Sequence, residues 1–533
     1  MVELDGELFN RIVNYEMMED FFMTIVSPSD HWMYLSSNGS LSAGRINRNN
    51  AFFPYYTVDK IHDYKGLTGP ASWFLVELKG KSFLWEPFRS SSERFYTISR
   101  NLYKSIYGNK VLFEENNEDL GLSFRYGWYN SDRYGWIRKA KLLNTGKEAK
   151  HIRLLDGLQN LLPYGADYSF QTEYSNLMDA YKKNELLPTS RLGLYMLSSI
   201  PVDRAEPSEA LKATTVWSYG LEKDARILLS DRQLDAFLGG KAVTTETDVR
   251  AARGAYLMQA ELEPGPGEAN EWGLVVEINQ DATMVADLDK FLKGNTDLKR
   301  ALDKDIEQGT RELRRVVASA DGLQLGQDKL NCARHFANTL YNVMRGGVYT
   351  ENYMVERKDL MHYLGQCNKK ILEEYRDALL KLPEKLPYPE LVQWARSGDR
   401  PGLERVCLEY LPLTFSRRHG DPSRPWNQFS IEIKNEDGSN KLSYQGNWRD
   451  IFQNWEALNL SFPEFLEGIL AKFLNASTPD GYYPYRITRE GIDWECPDPD
   501  DPWAYIGYWG DHQIIYLQKF LEQSRDFFPG QLK

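Results

Sequence analysis

The chain has 533 residues, 42% hydrophobic and 26% charged, with a formal net charge of -12. Length allows about three domains, and the acidic balance excludes a nucleic-acid backbone as partner, which calls for a basic surface. No run approaches the ~20 apolar residues of a membrane span and no tract is of low complexity, so a neutral substrate, or a small anion in a local basic pocket, fits best.

The opening residues Met1–Glu7 carry neither a basic start nor an apolar stretch, so no leader is expected. Short β-rich runs then recur: Phe21–Ser27, His31–Ser36, Ser72–Leu78, Phe95–Ser99, Lys110–Glu114, Leu122–Trp128, Gly135–Asn144 and His151–Asp156. Turn pairs such as Asn38-Gly39, Lys79-Gly80, Asn116-Asn117 and Thr145-Gly146 separate them. Further runs follow at Gly193–Ser199, Ala213–Tyr219, Ala255–Glu261 and Trp272–Ile278. This density predicts one antiparallel β-sandwich over residues 1–282.

Near Thr283 the apolar spacing changes from two to helical: Leu288, Phe291, Leu292, then Leu298, Leu302, Ile306 and Leu313. Charged faces between them predict a helical linker over 283–322. Residues 323–533 read as largely helical, at Gln327–Met344, Glu356–Leu380, Pro389–Arg396, Gly402–Tyr410, Trp448–Leu458, Phe462–Leu474 and Ala504–Arg525. The long connections Pro412–Asn447 and Asn475–Trp503 are rich in charge and aromatic residues. Such loops are often functional.

Cys332, Cys367, Cys407 and Cys496 are too sparse for a disulfide frame and form no pair at metal-ligand spacing, which predicts reduced thiols, a cytoplasmic location and no metal. Arg345-Gly-Gly347 is too short to replace a phosphate-binding loop. Aromatic content is high, 13% with 14 Trp and 32 Tyr. Flat apolar faces with polar edges suit large cores, and they also suit sugar rings.

The stretches Trp32–Arg45, Leu84–Phe88, Leu142–Gly146, Gln445–Trp455 and Asp500–Trp503 resemble glycoside hydrolase family 94, the inverting glycoside phosphorylases typified by cellobiose phosphorylase. The resemblance implies a β-sandwich, linker helices and an (α/α)6 barrel, here incomplete because too few helices are predicted. Trp448, Arg449, Asp450, Gln453 and Asn454 look like the family's aromatic-Arg-Asp segment, with Asn454 in place of an Asp, which implies sugar binding. Asp501 and Trp503 look like an acidic-aromatic barrel entry. An N-cap reading explains an acidic residue there equally.

Arg417, Arg418 and His419, with Arg424 nearby, form a local basic set in an acidic protein. Guanidinium forks match phosphate oxygens, so this set is the candidate anion pocket, with inorganic phosphate as co-substrate and no cofactor. A solvated loop bonded to acidic neighbours is the alternative. Inverting phosphorolysis needs one carboxylic acid, whereas inverting hydrolysis needs an acid and a base. The acid segment that the resemblance implies is not found, so the expectation is a truncated chain lacking its general acid; failing that, the acid lies among Asp450, Glu456, Asp493 and Glu495, with Asp450 and Glu495 preferred. The expected partners are a neutral oligosaccharide or glucan, phosphate, and either a second copy or a missing C-terminal half. A six-hairpin glycoside hydrolase and a non-catalytic carbohydrate-binding or assembly protein are the alternatives.

Overall fold

In the computed structural model, Leu122, Phe124, Tyr126 and Trp128 alternate along one strand and are all buried, as the two-residue period of a strand against a core requires. The structure describes residues 1–201, 210–221, 225–294, 297–398, 400–435, 437–502, 504–509 and 513–531, with the backbone alone at 175 and 176. They divide into two compact units, Met1–Leu313 with Asp421–Asn427, and Arg314–Gly420 with Gln428–Lys533.

The first unit is a large antiparallel β region. Eleven strands form one sheet, running from the N-terminal hairpin Val2–Leu4 and Glu7–Val13 through Ile98–Ser105, Val111–Asn117, Leu122–Ser131 and Gly135–Asn144. Ala269–Asp281, Lys212–Tyr219, Leu192–Leu197, Lys182–Leu187 and Asp248–Arg250 complete it. A five-stranded sheet centres on His151–Leu161 between Gly254–Leu262 and Gly69–Leu78, and a four-stranded sheet holds Phe22–Ile25, His31–Ser36, Leu41–Arg45 and Ala51–Phe53. Side chains from all three sheets, among them Leu35, Phe53, Phe74, Phe124, Leu154 and Trp272, share one apolar core.

Sequence reading places the N-terminal hairpin, Leu41–Arg45, Lys81–Trp85 and Lys182–Leu187 in no strand, yet all four are paired. Lys81–Trp85 carries four exposed residues before buried Trp85, so it lacks the alternation that reveals a strand. Asn116-Asn117 is also not a turn but the end of Val111–Asn117, paired with Leu122 and Ser123.

Arg45 has a structural position. Its guanidinium meets Asp30 at 2.7 Å and Glu277 at 3.3 Å, and Glu277 also takes a 2.9 Å bond from His31 Nε2. Burial alone would raise the Glu277 carboxyl, but Arg45 and His31 outweigh it and hold it at about 2 instead of 4.5. A depressed carboxylate stabilises the fold fully above its unfolded value and loses that contribution as pH falls toward the folded one. Urea unfolding followed from pH 5 down to about 2 should therefore show a shallower acid decline in Glu277→Gln than in the parent. Equal slopes would remove Glu277 from the acid limb.

The second unit is mainly helical: Lys329–Gly346, Arg357–Cys367, Lys369–Leu380, Tyr388–Arg396, Pro401–Leu408, Trp448–Leu458, Leu466–Ala476 and Ile514–Phe527. The expected helix Glu356–Leu380 is broken at Asn368, which is extended and whose side chain accepts from the Ile371 N–H, capping a second helix. The expected helix Ala504–Arg525 starts only at Ile514; before it, Tyr508–Trp509 pairs as a strand with Tyr482–Tyr483. Aromatic stacking builds the core, with Phe465 against Tyr349 at 3.8 Å and Tyr388 at 4.2 Å between centroids. Among the described residues no helix is long and apolar enough to cross a membrane, and no group of three or more His, Cys, Asp or Glu could hold a metal ion. All four cysteines are free thiols.

Candidate functional site

The helix Trp448–Leu458 buries Trp448, Ile451, Phe452, Trp455 and Leu458, the i, i+3, i+4, i+7 stripe of a helix against a core. Trp448 is wholly enclosed: Phe452, Phe473 and Tyr483 surround its ring at 4.6, 5.2 and 6.2 Å. Its face is covered by protein, which leaves no room in this conformation for a stacked sugar. The Trp448 N–H donates to the Tyr485 carbonyl at 3.0 Å, and the preceding strand Gln445–Asn447 pairs with Arg486–Thr488. The helix start is thereby fixed beside Tyr485.

The expected common face of Arg449, Asp450, Gln453 and Asn454 divides in two. Arg449 and Gln453 lie toward solvent, whereas Asp450 and Asn454 are buried. Consecutive helical residues point about 100° apart, so i and i+4 share a side and i and i+1 do not. Asn454 is held internally, its amide donating to the Asp450 carbonyl and its Cβ facing Gly346. Arg449 Nε stays 3.8 Å from Asp450 Oδ1.

A different set is electrostatically coupled to Arg449 and Asp450. The Tyr508 hydroxyl is pushed up to about 12, first by burial and then by Tyr485, Glu495 and Asp450, with Arg449 opposing them. The two tyrosine rings lie 6.3 Å apart, and the Glu495 N–H donates to the Ile506 carbonyl at 2.9 Å. Tyr516, on the last helix, is raised by burial and also feels Arg449 and Asp450. Arg449, Asp450 and Glu495 are thus electrostatically coupled to the Tyr508 hydroxyl, and groups of these kinds can accept from and donate to the hydroxyls of a polar ligand. Of the other acid candidates, Glu456 pairs with Lys519 at 2.7 Å and Asp493 with Arg486 Nε at 2.6 Å. Sequence reading misses Tyr508, because only its nonlocal pairing with Tyr483 takes it out of a helix.

The basic set gains a member. Arg345 donates to His419 Nε2 at 2.8 Å and to the Tyr341 hydroxyl, and its guanidinium lies 4.1 Å from the centre of the Tyr341 ring. Arginine has no acceptor, so His419 Nε2 must present its lone pair. Arg417 joins through its backbone N–H to the Met344 carbonyl, 2.8 Å, with its guanidinium over Phe415. Arg418 exchanges backbone bonds with Ser430. Arg345 is the residue whose dipeptide context resembles no phosphate loop; its relevance comes from the chain returning to it at 417–419. Asp501 sits in an exposed turn, accepting on its carbonyl from Ala504 N–H at 3.0 Å. Trp503 and His512 lie outside the described residues.

Residues 349–412 match a family model described as glycoside hydrolase family 149 insertion domain 1. They run from Tyr349 through four helices and end just before the arginine loop. The match supports a carbohydrate-active protein of the glycoside hydrolase or phosphorylase kind, at that coarse level and not for family 94 in particular.

No curated protein matches. Solved structures similar over much of the chain include a bacterial glucoamylase complexed with acarbose, 11% identical over 95% of this chain, TM-score 0.38. A polysaccharide lyase is 12% identical over 50% of this chain, TM-score 0.27, and a chain named as a kojibiose phosphorylase from human microbiome is 7% identical over 88%, TM-score 0.25. This chain spans 66%, 33% and 46% of their respective lengths. At these scores the overlaps carry no argument about fold or chemistry.

Proposed function

We propose that this chain belongs to a carbohydrate-active enzyme of the inverting phosphorylase kind that family 94 exemplifies, acting on a neutral oligosaccharide or glucan with inorganic phosphate as co-substrate. In this reading residues 1–282 are a β-sandwich, 283–322 a helical linker and 323–533 part of an (α/α)6 barrel, in a cytoplasmic protein. The observation that carries it is the basic set in which Arg345 donates to His419 Nε2 at 2.8 Å, with Arg449, Asp450 and Glu495 acting electrostatically on Tyr508. Arg449 and Asp450 hold sugar hydroxyls. Asp450 is the first candidate for an acid within this chain, and Glu495 the second. Arg345, Arg417, Arg418 and His419 receive phosphate.

Phosphate release from glucose 1-phosphate with an oligosaccharide acceptor, alongside free-sugar release without phosphate, tests this directly. Oligosaccharide formation supports phosphorolysis; phosphate-independent sugar release sinks it. That second outcome has its own support, since Asp450 and Glu495 would supply the two carboxyl groups that inverting hydrolysis requires.

Arg449→Ala is expected to weaken oligosaccharide binding by roughly 10- to 100-fold, the range for losing hydrogen bonds from a charged donor. Titration calorimetry checks it; affinity unchanged within twofold would remove Arg449 from the site.

Ile506, Trp509, Ile514, Ile515, Leu521 and Phe527 are exposed apolar residues on and before the last helix, side chains of the kind that contact with another chain would cover. A second copy or a further barrel segment would cover them. Sedimentation velocity should show mass above the 61.8 kDa monomer.

A further inference from the structure

The first unit encloses a cavity of about 460 Å³, within the roughly 300–1,000 Å³ usual for small-molecule sites. Its floor is the face of the eleven-stranded sheet opposite the main core: Phe113 and Trp128 point to that core, whereas Leu112 and Tyr129 belong to this side. The N-terminal hairpin and the helix Leu298–Ala318 supply its walls.

Charged wall groups already neutralise one another. Lys110 pairs with Glu7, Lys139 with Asp303, and Glu271 takes both Lys141 at 3.0 Å and Lys299 at 2.7 Å. Little net charge remains to recruit an ion. Hydrogen-bonding capacity does remain, because each ion pair occupies only part of what the lysine and carboxylate groups can make. Each ammonium group carries three donors.

The floor also presents aromatic surface. Gly273 has no side chain, and the Tyr219 ring occupies the space a Cβ there would enter, 2.4 Å from it. Tyr129 stands nearby with the Lys139 ammonium 4.7 Å from its ring centre. An electroneutral pocket with aromatic faces and spare donors complements a molecule with an apolar ring face and many hydroxyls.

We propose that this cavity is a binding site for a neutral saccharide, built from the first unit alone and independent of Arg449 and Asp450. Aromatic surface supplies the contact for the sugar's C–H face, and the lysines donate to its hydroxyls.

The test is titration calorimetry of the full chain with maltose, cellobiose, laminaribiose, inorganic phosphate and glucose 1-phosphate. At least one neutral disaccharide should bind, at least tenfold more weakly to Tyr219→Ala and several-fold more weakly to Lys299→Ala. Circular dichroism reports whether Tyr219→Ala folds; if it does not, Lys299→Ala, on an exposed helix face, decides alone. No binding by any disaccharide, binding insensitive to the cavity variants, or phosphate and glucose 1-phosphate outcompeting the neutral sugars would each overturn the proposal.

Discussion

Replacing Arg345 by methionine should weaken phosphate binding at least about 30-fold while leaving oligosaccharide affinity within twofold. The guanidinium is held from two sides, by the Tyr341 ring and hydroxyl and by His419 Nε2. A planar fork already fixed in orientation loses little entropy on meeting an oxyanion. Truncating one partner of such a charge-assisted contact costs about 2–5 kcal/mol, and the lower figure corresponds to roughly 30-fold. Methionine keeps the aliphatic packing over Tyr341 and removes the donors. Because His419 acts through its lone pair toward Arg345, His419→Gln, whose amide oxygen can also accept, should show the smaller loss. Inorganic phosphate titrated by calorimetry, with the disaccharide affinity as control, separates the two effects. Phosphate affinity unchanged in Arg345→Met would end the assignment of the basic loop to phosphate, whatever the chain does to sugars.

What could be read locally, and what could not, follows from the range of the forces involved. Where a short β-rich run is bounded by turn residues, the element is legible at its ends: His31–Ser36 and Gly135–Asn144 are strands over the expected residues. Trp448–Leu458 is likewise a helix over its expected span, because its apolar stripe begins and ends with it. Legibility fails where another part of the chain decides. The break at Asn368 is local instead: its side chain caps the Ile371 N–H three residues on, a cap signal that the apolar spacing of 356–380 does not register. The strand at Tyr508 exists only because Tyr483 is there to pair with it.

The candidate site shows the same division at finer grain. Residue types at 448–454 single out one helix as a candidate, but the angle between neighbouring side chains separates Arg449 from Asn454 and puts Trp448 in the core. Arg345 and Glu495 come near other polar residues through loop geometry that composition does not encode. A segment rich in arginine or carboxylate identifies candidates; only the fold decides which of them meet.

The largest stability effect is expected at Arg138 and Asp156, both fully buried. Arg138 belongs to the eleven-stranded sheet and Asp156 to the five-stranded one, so their fork, at 2.6 and 2.9 Å, ties the two sheets through the core. Asp156 also accepts from Trp272 Nε1 at 2.6 Å and from the Ser72 hydroxyl at 2.5 Å. Asp156→Ala strands a guanidinium, an indole N–H and a hydroxyl in an apolar interior. Breaking a buried pair by removing one partner typically costs about 3–5 kcal/mol, because the remaining charge stays desolvated. Removing both charges need not cost the same, since a buried pair often does little better than apolar residues of its volume. Arg138→Met with Asp156→Leu should therefore recover much of the loss, but not all, because Trp272 and Ser72 still lack an acceptor. Urea unfolding followed by tryptophan fluorescence compares the parent, the single variant and the double variant. A single variant within 1 kcal/mol of the parent would mean that water reaches this site, and the fork would then not be what joins the sheets.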